Sequence, residues 1–281
     1  MINIGIVILN YYCYNDTINC VNDFLKQETN NVNVYISIVD NNSSNDSFEK
    51  IESYFLTKNN IIVCKTDKNI GFAKGNNFGY AKLLSHFDVV FDYIICSNDD
   101  ILIERKDLFS WIESSFNKTN FSVLGPDIYS LSYKYHQNPM ICKSTSRKDI
   151  KNEIFKLKIL KLYLTINVFS KKKEKYFIAD CDYQNAVFNK TLNGAFLIFS
   201  KLYFEEYKNL FNSNTFLYLE EDLLKLRCDK KGLKMVYLPD FTVNHIQESS
   251  TNIINKSQRK KFIFRLKHII DSYQVYIKEL E

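Results

Sequence analysis

The chain is short of the residues that break or cross-link a backbone. Its 281 residues include only 7 Gly, 3 Pro and 1 Trp. So little Gly and Pro excludes a collagenous or low-complexity chain. The 7 Cys, at positions 13, 20, 64, 96, 142, 181 and 228, are odd in number and form no C-x-x-C pair. Neither a disulfide framework nor a zinc module is expected from that spacing. No apolar run reaches the roughly 18–20 residues that cross a bilayer. The opening "MINIGIVIL" lacks a basic leader and a small-residue cleavage site. The expectation is a reducing, cytoplasmic setting with any membrane contact peripheral.

Aromatic side chains are plentiful, with 22 Phe and 19 Tyr, and hydrophobic residues make up 46% against 25% charged. That composition suits a soluble domain with a sizeable core, alone or with one appendage. The net charge of +5 is unevenly spread. Residues 148–175 carry nine Lys against three acids, and residues 255–281 carry seven Lys or Arg against three acids. Both stretches interleave cations with Phe, Leu, Ile and Tyr. A solvated helix face explains this, and so does a surface that sits on anionic lipid at the inner face of the cell membrane. Nucleic acid is not expected, since no recognition motif accompanies the charge.

Strand and helix patterns alternate through the first hundred residues. "NIGIVILN", "VNVYISIVD", "NIIVCKTD" and "YIICSN" are near-continuous apolar runs, as expected of strands buried on both faces. Between them, Ile18, Val21, Phe24 and Leu25 recur at helical spacing, as do Phe48, Ile51, Tyr54 and Phe55. The pattern predicts an α/β fold with a mostly parallel sheet and helices on both faces. Ligands of such sheets bind beyond the carboxyl ends of the strands. Polar groups collect there: Asn10 and Tyr11, Asp40 and Asn41, and Asn98 to Asp100. Farther on, "NGAFLIFS" reads as a strand, 216–232 as a helix closed by Gly232, and 234–250 as a final β-rich pair ending at His245.

The first strand-to-helix turn, "NYYCYND", has no glycine, so a Rossmann dinucleotide site is disfavoured. The glycines at 71, 75 and 79 lack the spacing and the Lys-Ser/Thr of a P-loop. In "VDNNSSND" the strand-end carboxylate of Asp40 can accept from a nucleobase or ribose, while the serines equally suit an Asx-turn and helix cap. The acids of "SNDDI" can hold a hard divalent cation, or merely fill a solvated turn. Glu220, Glu221 and Asp222 open a helix, where acids are ordinary dipole partners. One of them could also serve as a general base.

Five segments, "IVILNYY", "VDNNSSND", "NIGFAKGNNFG", "CSNDDI" and "NGAFLIFSK…FLYLEEDLLKLR…G…VYLPDFTVNH", in this order and spacing, resemble the inverting family 2 glycosyltransferases, especially the bacterial rhamnosyltransferase-like members. The likeness covers most of residues 3–250, with 131–185 variable. It implies a GT-A fold over residues 1–254, to which the composition adds a basic helical insertion at 131–185 and a basic amphipathic helix at 255–281. It also implies a nucleoside-diphosphate sugar donor, dTDP-rhamnose or a UDP-sugar, with Mg2+ or Mn2+. The acceptor would be a growing surface polysaccharide or a lipid-linked oligosaccharide.

By the same resemblance Asn10, Tyr11 and Asp40 contact the nucleotide, and Asn69, Gly71 and Asn76 fall in the loop that closes over it. Asn98 and Asp99 lie on the donor side of the metal motif, whose last acid is Asp100. Asn98 stands where the family's first acid is usual, so the metal shell is one charge poorer. His245 matches a histidine near metal and diphosphate, though a strand-end histidine satisfied by its neighbours reads the same. Asn193, Gly194 and Ala195 separate donor from acceptor, and Glu221, six residues before Arg227, is the base, with Asp222 its neighbour and rival. Because Asn98 and Glu221 depart from the usual pattern, a non-catalytic sugar-nucleotide-binding subunit of an assembly complex is the alternative.

Overall fold

The computed structural model describes residues 1–140, 146–166, 182–247 and 258–281. The boundary expected at 254/255, Cys142, Cys181 and the lysines at 171–175 lie outside these residues.

Four strands build one half of a ten-stranded sheet: β1 (Ile2–Asn10), β2 (Val32–Asp40), β3 (Ile61–Lys65) and β4 (Tyr93–Asn98), in the order β3-β2-β1-β4 and all parallel. Helices α1 (Tyr14–Leu25), α2 (Ser47–Phe55) and α3 (Phe72–His86) cross between them. The strands are apolar on both sides because each side is covered. Ile4, Ile6 and Ile8 pack with Val21, Phe24 and Ile51 on one face, and Val7 packs with Ala73, Tyr80 and Leu83 on the other. α3 lies very close to the sheet. A Cβ at Gly79 would come within 2.6 Å of Val7 and 2.7 Å of Val39, and one at Gly75 within 2.6 Å of Leu9. Two of the three glycines in the 71–79 stretch therefore serve helix-on-sheet packing.

The other half of the sheet is mixed. After β5 (Ile101–Leu102) and α4 (Leu108–Thr119) come β6 (Val123–Ser130), β7 (Tyr135–His136), α5 (Arg147–Ile166), β8 (Val187–Phe188), β9 (Phe196–Ser200) and α6 (Lys201–Phe204). Then α7 (Glu220–Lys231), β10 (Met235–His245) and α8 (Gln258–Glu279) complete the chain. β9 runs antiparallel between β4 and β6, β6 pairs parallel with β10, and β5 closes that edge antiparallel. The expected final pair is one 11-residue strand whose register slips between Leu238 and Thr242. Pro239, which has no amide to give the ladder, sits inside the slip. Gly232 ends α7 with φ 64°, as the sequence predicts.

A third apolar cluster lies away from the sheet. Ile150 and Ile154 of α5 meet Leu219 and Leu223 at the start of α7 and Ile270, Tyr273 and Tyr276 of α8. The basic C-terminal helix is thus docked along its apolar face, with Leu266 also buried.

Candidate active site

The parallel register of β1 and β2 sets Asn10 beside Asp40 at the strand ends. Asp40 is fully buried, and its carboxylate accepts from Asn10 Nδ2 at 2.6 Å and from the Ser43 amide at 2.8 Å. A buried carboxylate needs such donors. Next to it, Asn41 Oδ1 accepts from the Ile70 amide at 2.9 Å, and its Nδ2 reaches Asn69 Oδ1 at 3.2 Å and Gly71 O at 3.3 Å. The Tyr11 phenol also hydrogen-bonds the Asn69 side chain; burial raises its pKa and that bond opposes the rise. Asn10, Tyr11, Asp40, Asn69 and Gly71 therefore share one rim. Asn76 does not join them. It sits on the second turn of α3, donating to Phe72 O at 3.0 Å and accepting from the Cys96 thiol at 3.2 Å.

Thr17, on the first turns of α1, links this group to the acids after β4. Its hydroxyl lies 3.0 Å from Asn10 Oδ1 and 3.4 Å from Asp99 Oδ2. A polar chain thus runs from Asp40 through Asn10 and Thr17 to Asp99. Burial, and then the charge of Asp100 and Asp16, holds the Asp99 carboxyl well above its ordinary pKa. That is the direction expected of adjacent acids in a desolvated place, and a bound cation would reverse it.

Asp100 belongs to a closed ring. Its Oδ1 faces His245 Nε2 at 3.1 Å, and its Oδ2 accepts from the Gln247 amide at 3.1 Å. His245 Nδ1 meets Gln137 Oε1 at 2.8 Å, and Gln137 Nε2 donates to Gln247 Oε1 at 3.0 Å. Gln137 thereby fixes the imidazole ring plane and leaves Nε2 turned to Asp100.

Glu221 enters from the other side. The reversed strand β9 brings its leading residues to this rim, where Ala195 O accepts from the Asn98 amide at 2.8 Å. The Gly194 amide donates to Glu221 Oε1 at 3.3 Å, and a Cβ on Gly194 would stand 2.9 Å from that oxygen. Glycine leaves room for the carboxylate. Asn193 holds the turn, its Oδ1 accepting from the Ala195 amide at 2.9 Å, and Asn138 Oδ1 accepts from the Asn193 amide at 2.7 Å. α7 starts abruptly, with Tyr218 and Leu219 both left-handed at φ 72° and 65°. Such backbone is costly for non-glycine residues and clusters at functional turns.

The three acids of α7 occupy different surroundings. Burial raises the Glu221 pKa, while its own amide and that of Gly194 oppose the rise and Asp222 adds to it. Asp222 lies near enough to Tyr273 of α8 to push that phenol up, behind burial and Glu153. Glu220 is buried, with Oε1 lacking a hydrogen-bond partner. Burial first, then Glu221, pushes its pKa up from 4.5 to about 8. That direction disfavours Glu220 as a proton acceptor near neutral pH.

A folded pKa above the unfolded one gives stability that is complete below about 4.5 and fades as pH rises through 8. Glu220→Gln should therefore match wild type at pH 4.5 and exceed it at pH 8.5, by on the order of a few kcal/mol, since one unit is about 1.4 kcal/mol. Urea melts at both values check this. An unchanged difference between the two proteins would contradict it.

The donors at Asp100 suit a cation only in part. Among the described residues no group of three or more His, Cys, Asp or Glu could hold a metal ion. Two ligands at right angles on Mg2+ or Mn2+ stand roughly 3 Å apart at bond lengths of about 2.1 Å. The 3.1 Å between Asp100 Oδ1 and His245 Nε2 fits such a pair. These residues fit an ion that takes its remaining ligands from phosphate and water, and do not fit a protein cage.

The model of the family described as "Glycosyl transferase family 2" matches residues 5–191 of this chain, well over half of its length. The chain belongs to glycosyltransferase family 2. That match spans the rim from Asn10 to Asp100 and stops short of Gly194, Glu221 and His245. No curated protein matches the chain. Among solved structures, it resembles Staphylococcus aureus TarS residues 1–349 in complex with UDP-GlcNAc, at 12% identity and TM-score 0.55, over 97% of this chain and 66% of that one. It also resembles GalNAc-T7 with UDP, GalNAc and Mn2+, at 12% identity and TM-score 0.61, over 95% of this chain and 47% of that one. At such identity the likeness is one of fold, a mixed α/β sheet flanked by helices as in GT-A glycosyltransferases. This family 2 chain spans less than two thirds of the length of these structures.

Three residues that hold the site escape sequence reading. Thr17 looks like any polar position on an amphipathic helix, and Gln137 and Gln247 sit in segments without a motif. Only its place two residues after the His245 strand end, where polar groups of this sheet collect, could have drawn notice to Gln247.

Proposed function

We propose that the chain is an inverting glycosyltransferase. It transfers a hexosyl or rhamnosyl group from a nucleoside-diphosphate sugar, dTDP-rhamnose or a UDP-sugar, to a hydroxyl of a bacterial surface polysaccharide or lipid-linked oligosaccharide. One observation carries the reading: Glu221, held at Gly194, stands on the same sheet rim as the polar chain from Asp40 to Asp99 and the Asp100–His245 pair.

Tyr11 and Asn69, at the open edge of the rim, contact the nucleoside, and the buried Asn10 and Asp40 hold the turns behind them. Glu221 takes the proton of the acceptor hydroxyl. That oxygen bonds to the anomeric carbon as the carbon–phosphate oxygen bond breaks, so the configuration inverts and the nucleoside diphosphate leaves. Its raised pKa makes Glu221 a stronger base than an ordinary carboxylate. Asp100 and His245 would hold Mg2+ or Mn2+, which supplies positive charge to the departing diphosphate.

Calorimetric titration of sugar nucleotides with and without Mn2+ tests the binding half. Asp100→Ala should lower Mn2+-dependent donor affinity at least about tenfold. An unchanged titration would reject Asp100 as a ligand. Slow donor hydrolysis without acceptor is expected of a transferase. Its complete absence at saturating donor would instead favour a non-catalytic binding subunit.

A further inference from the structure

α5 carries two apolar stripes, and among the described residues only one has a protein partner. Ile150, Ile154 and Leu164 are buried, and the first two pack into the cluster with α7 and α8. On the opposite side Phe155, Ile159, Leu162 and Ile166 are 65%, 53%, 60% and 71% exposed. Their spacing of four, three and four residues aligns them on one face. Exposed Lys148, Lys151, Lys156 and Lys158 flank this face. The helix is fixed in place. Arg259 of α8 donates to Leu164 O at 2.6 and 2.8 Å and to Thr165 O at 3.0 Å, satisfying carbonyls at its last turn. At its first turn Arg147 pairs with Glu281.

We propose that this outer face of α5 docks the protein on an anionic lipid surface. Phe, Ile and Leu at the centre of a helix face with Lys on both sides is the arrangement that lies in a bilayer interface, apolar chains down and ammonium groups at the headgroups. The charge disfavours a second copy as occupant, since two such faces would oppose lysine to lysine. Among the described residues no helix is long and apolar enough to cross a membrane, so contact would be along α5 and not through it. The C-terminal helix, whose composition offers the same mixture, turns most of its apolar residues to the platform beneath α5 and leaves Phe264 as its one exposed large apolar side chain among the described residues. This surface is independent of the identity of the catalytic base.

The full chain is floated with vesicles of neutral phosphatidylcholine and with vesicles containing 30 mol% phosphatidylglycerol. Binding is expected to the anionic vesicles only, and to weaken as salt rises. The variant Ile159→Ser/Leu162→Ser should lose at least about tenfold in partition while keeping its thermal midpoint, because both side chains already face solvent. Lys151→Glu/Lys158→Glu should do the same. Equal flotation of variants and wild type, or no binding of wild type, would overturn the proposal. So would a concentration-dependent dimer in light scattering that the Ile159→Ser/Leu162→Ser change abolishes, because the occupant would then be a second copy.

Discussion

Glu221→Gln is expected to lower sugar transfer by about 10²–10⁴-fold, the usual contribution of a positioned general base, with donor affinity within about twofold. The two effects separate because the side chain touches the Gly194 amide and not the Asp40 end of the rim. Glutamine keeps the shape and the acceptor oxygen for that amide, and loses only the capacity to take a proton. Wild-type kcat should rise with pH through a value above the ordinary 4.5, because burial and Asp222 both lift the Glu221 pKa. Asp222→Asn removes one of those causes and should shift that limb to lower pH without abolishing turnover. Full activity in Glu221→Gln together with loss in Asp222→Asn would move the base to Asp222.

Gly71→Ala should destabilise the fold by roughly 3 kcal/mol or more, a midpoint drop of about 5–10 °C in thermal melts. Gly71 has φ 85° and ψ 179°, a region closed to side chains, and its Cβ would stand 2.2 Å from Phe216 O and 2.8 Å from Phe216 C. Those are backbone atoms and cannot swing aside. The Phe72 amide donates to the same carbonyl at 2.9 Å, so a shift there costs a hydrogen bond as well. Gly232→Ala is the control. It has φ 64° but nothing within 4 Å, and should cost only about 1–2 kcal/mol of left-handed strain. Equal losses in the two variants would mean that backbone strain alone accounts for Gly71.

The parallel half of the sheet was legible because fully buried strands leave unbroken apolar runs and the helices between them keep a 3.6-residue period. The reversal of β9 was not. "FLIFS" is apolar whichever way it runs, so hydropathy holds no direction. The expected final pair is a single strand, because the chain crosses Pro239 by a slip in register and not by a turn. For the site, the strand-end rule singles out Asn10, Asp40 and Asp100, and the fold brings them to one register or rim. The family likeness sets Asn76 in a loop over the nucleotide, whereas the residue lies on the second turn of α3, bonded to Phe72 O and the Cys96 thiol. Thr17 and Gln137 were invisible because their value lies in partners 82 and 108 residues away in sequence. The basic segments were read by composition, which cannot tell a helix face spent on protein from one left open.

The reversal of β9 also sets a distance. The strand leaves the rim at Ala195 and ends at Ser200, whose neighbour Lys201 donates to Asp92 O at the far edge of the molecule. The chain must then climb the full height of the sheet to deliver Glu221 back to Gly194. Tyr203, Phe204, Tyr207 and Phe211 anchor that climb against α3 and each other. Residues 201–219 thus work as a measured strap, whose length decides where the carboxylate lands. Gaining or losing one residue in it would displace Glu221 while every other member of the rim stayed in place.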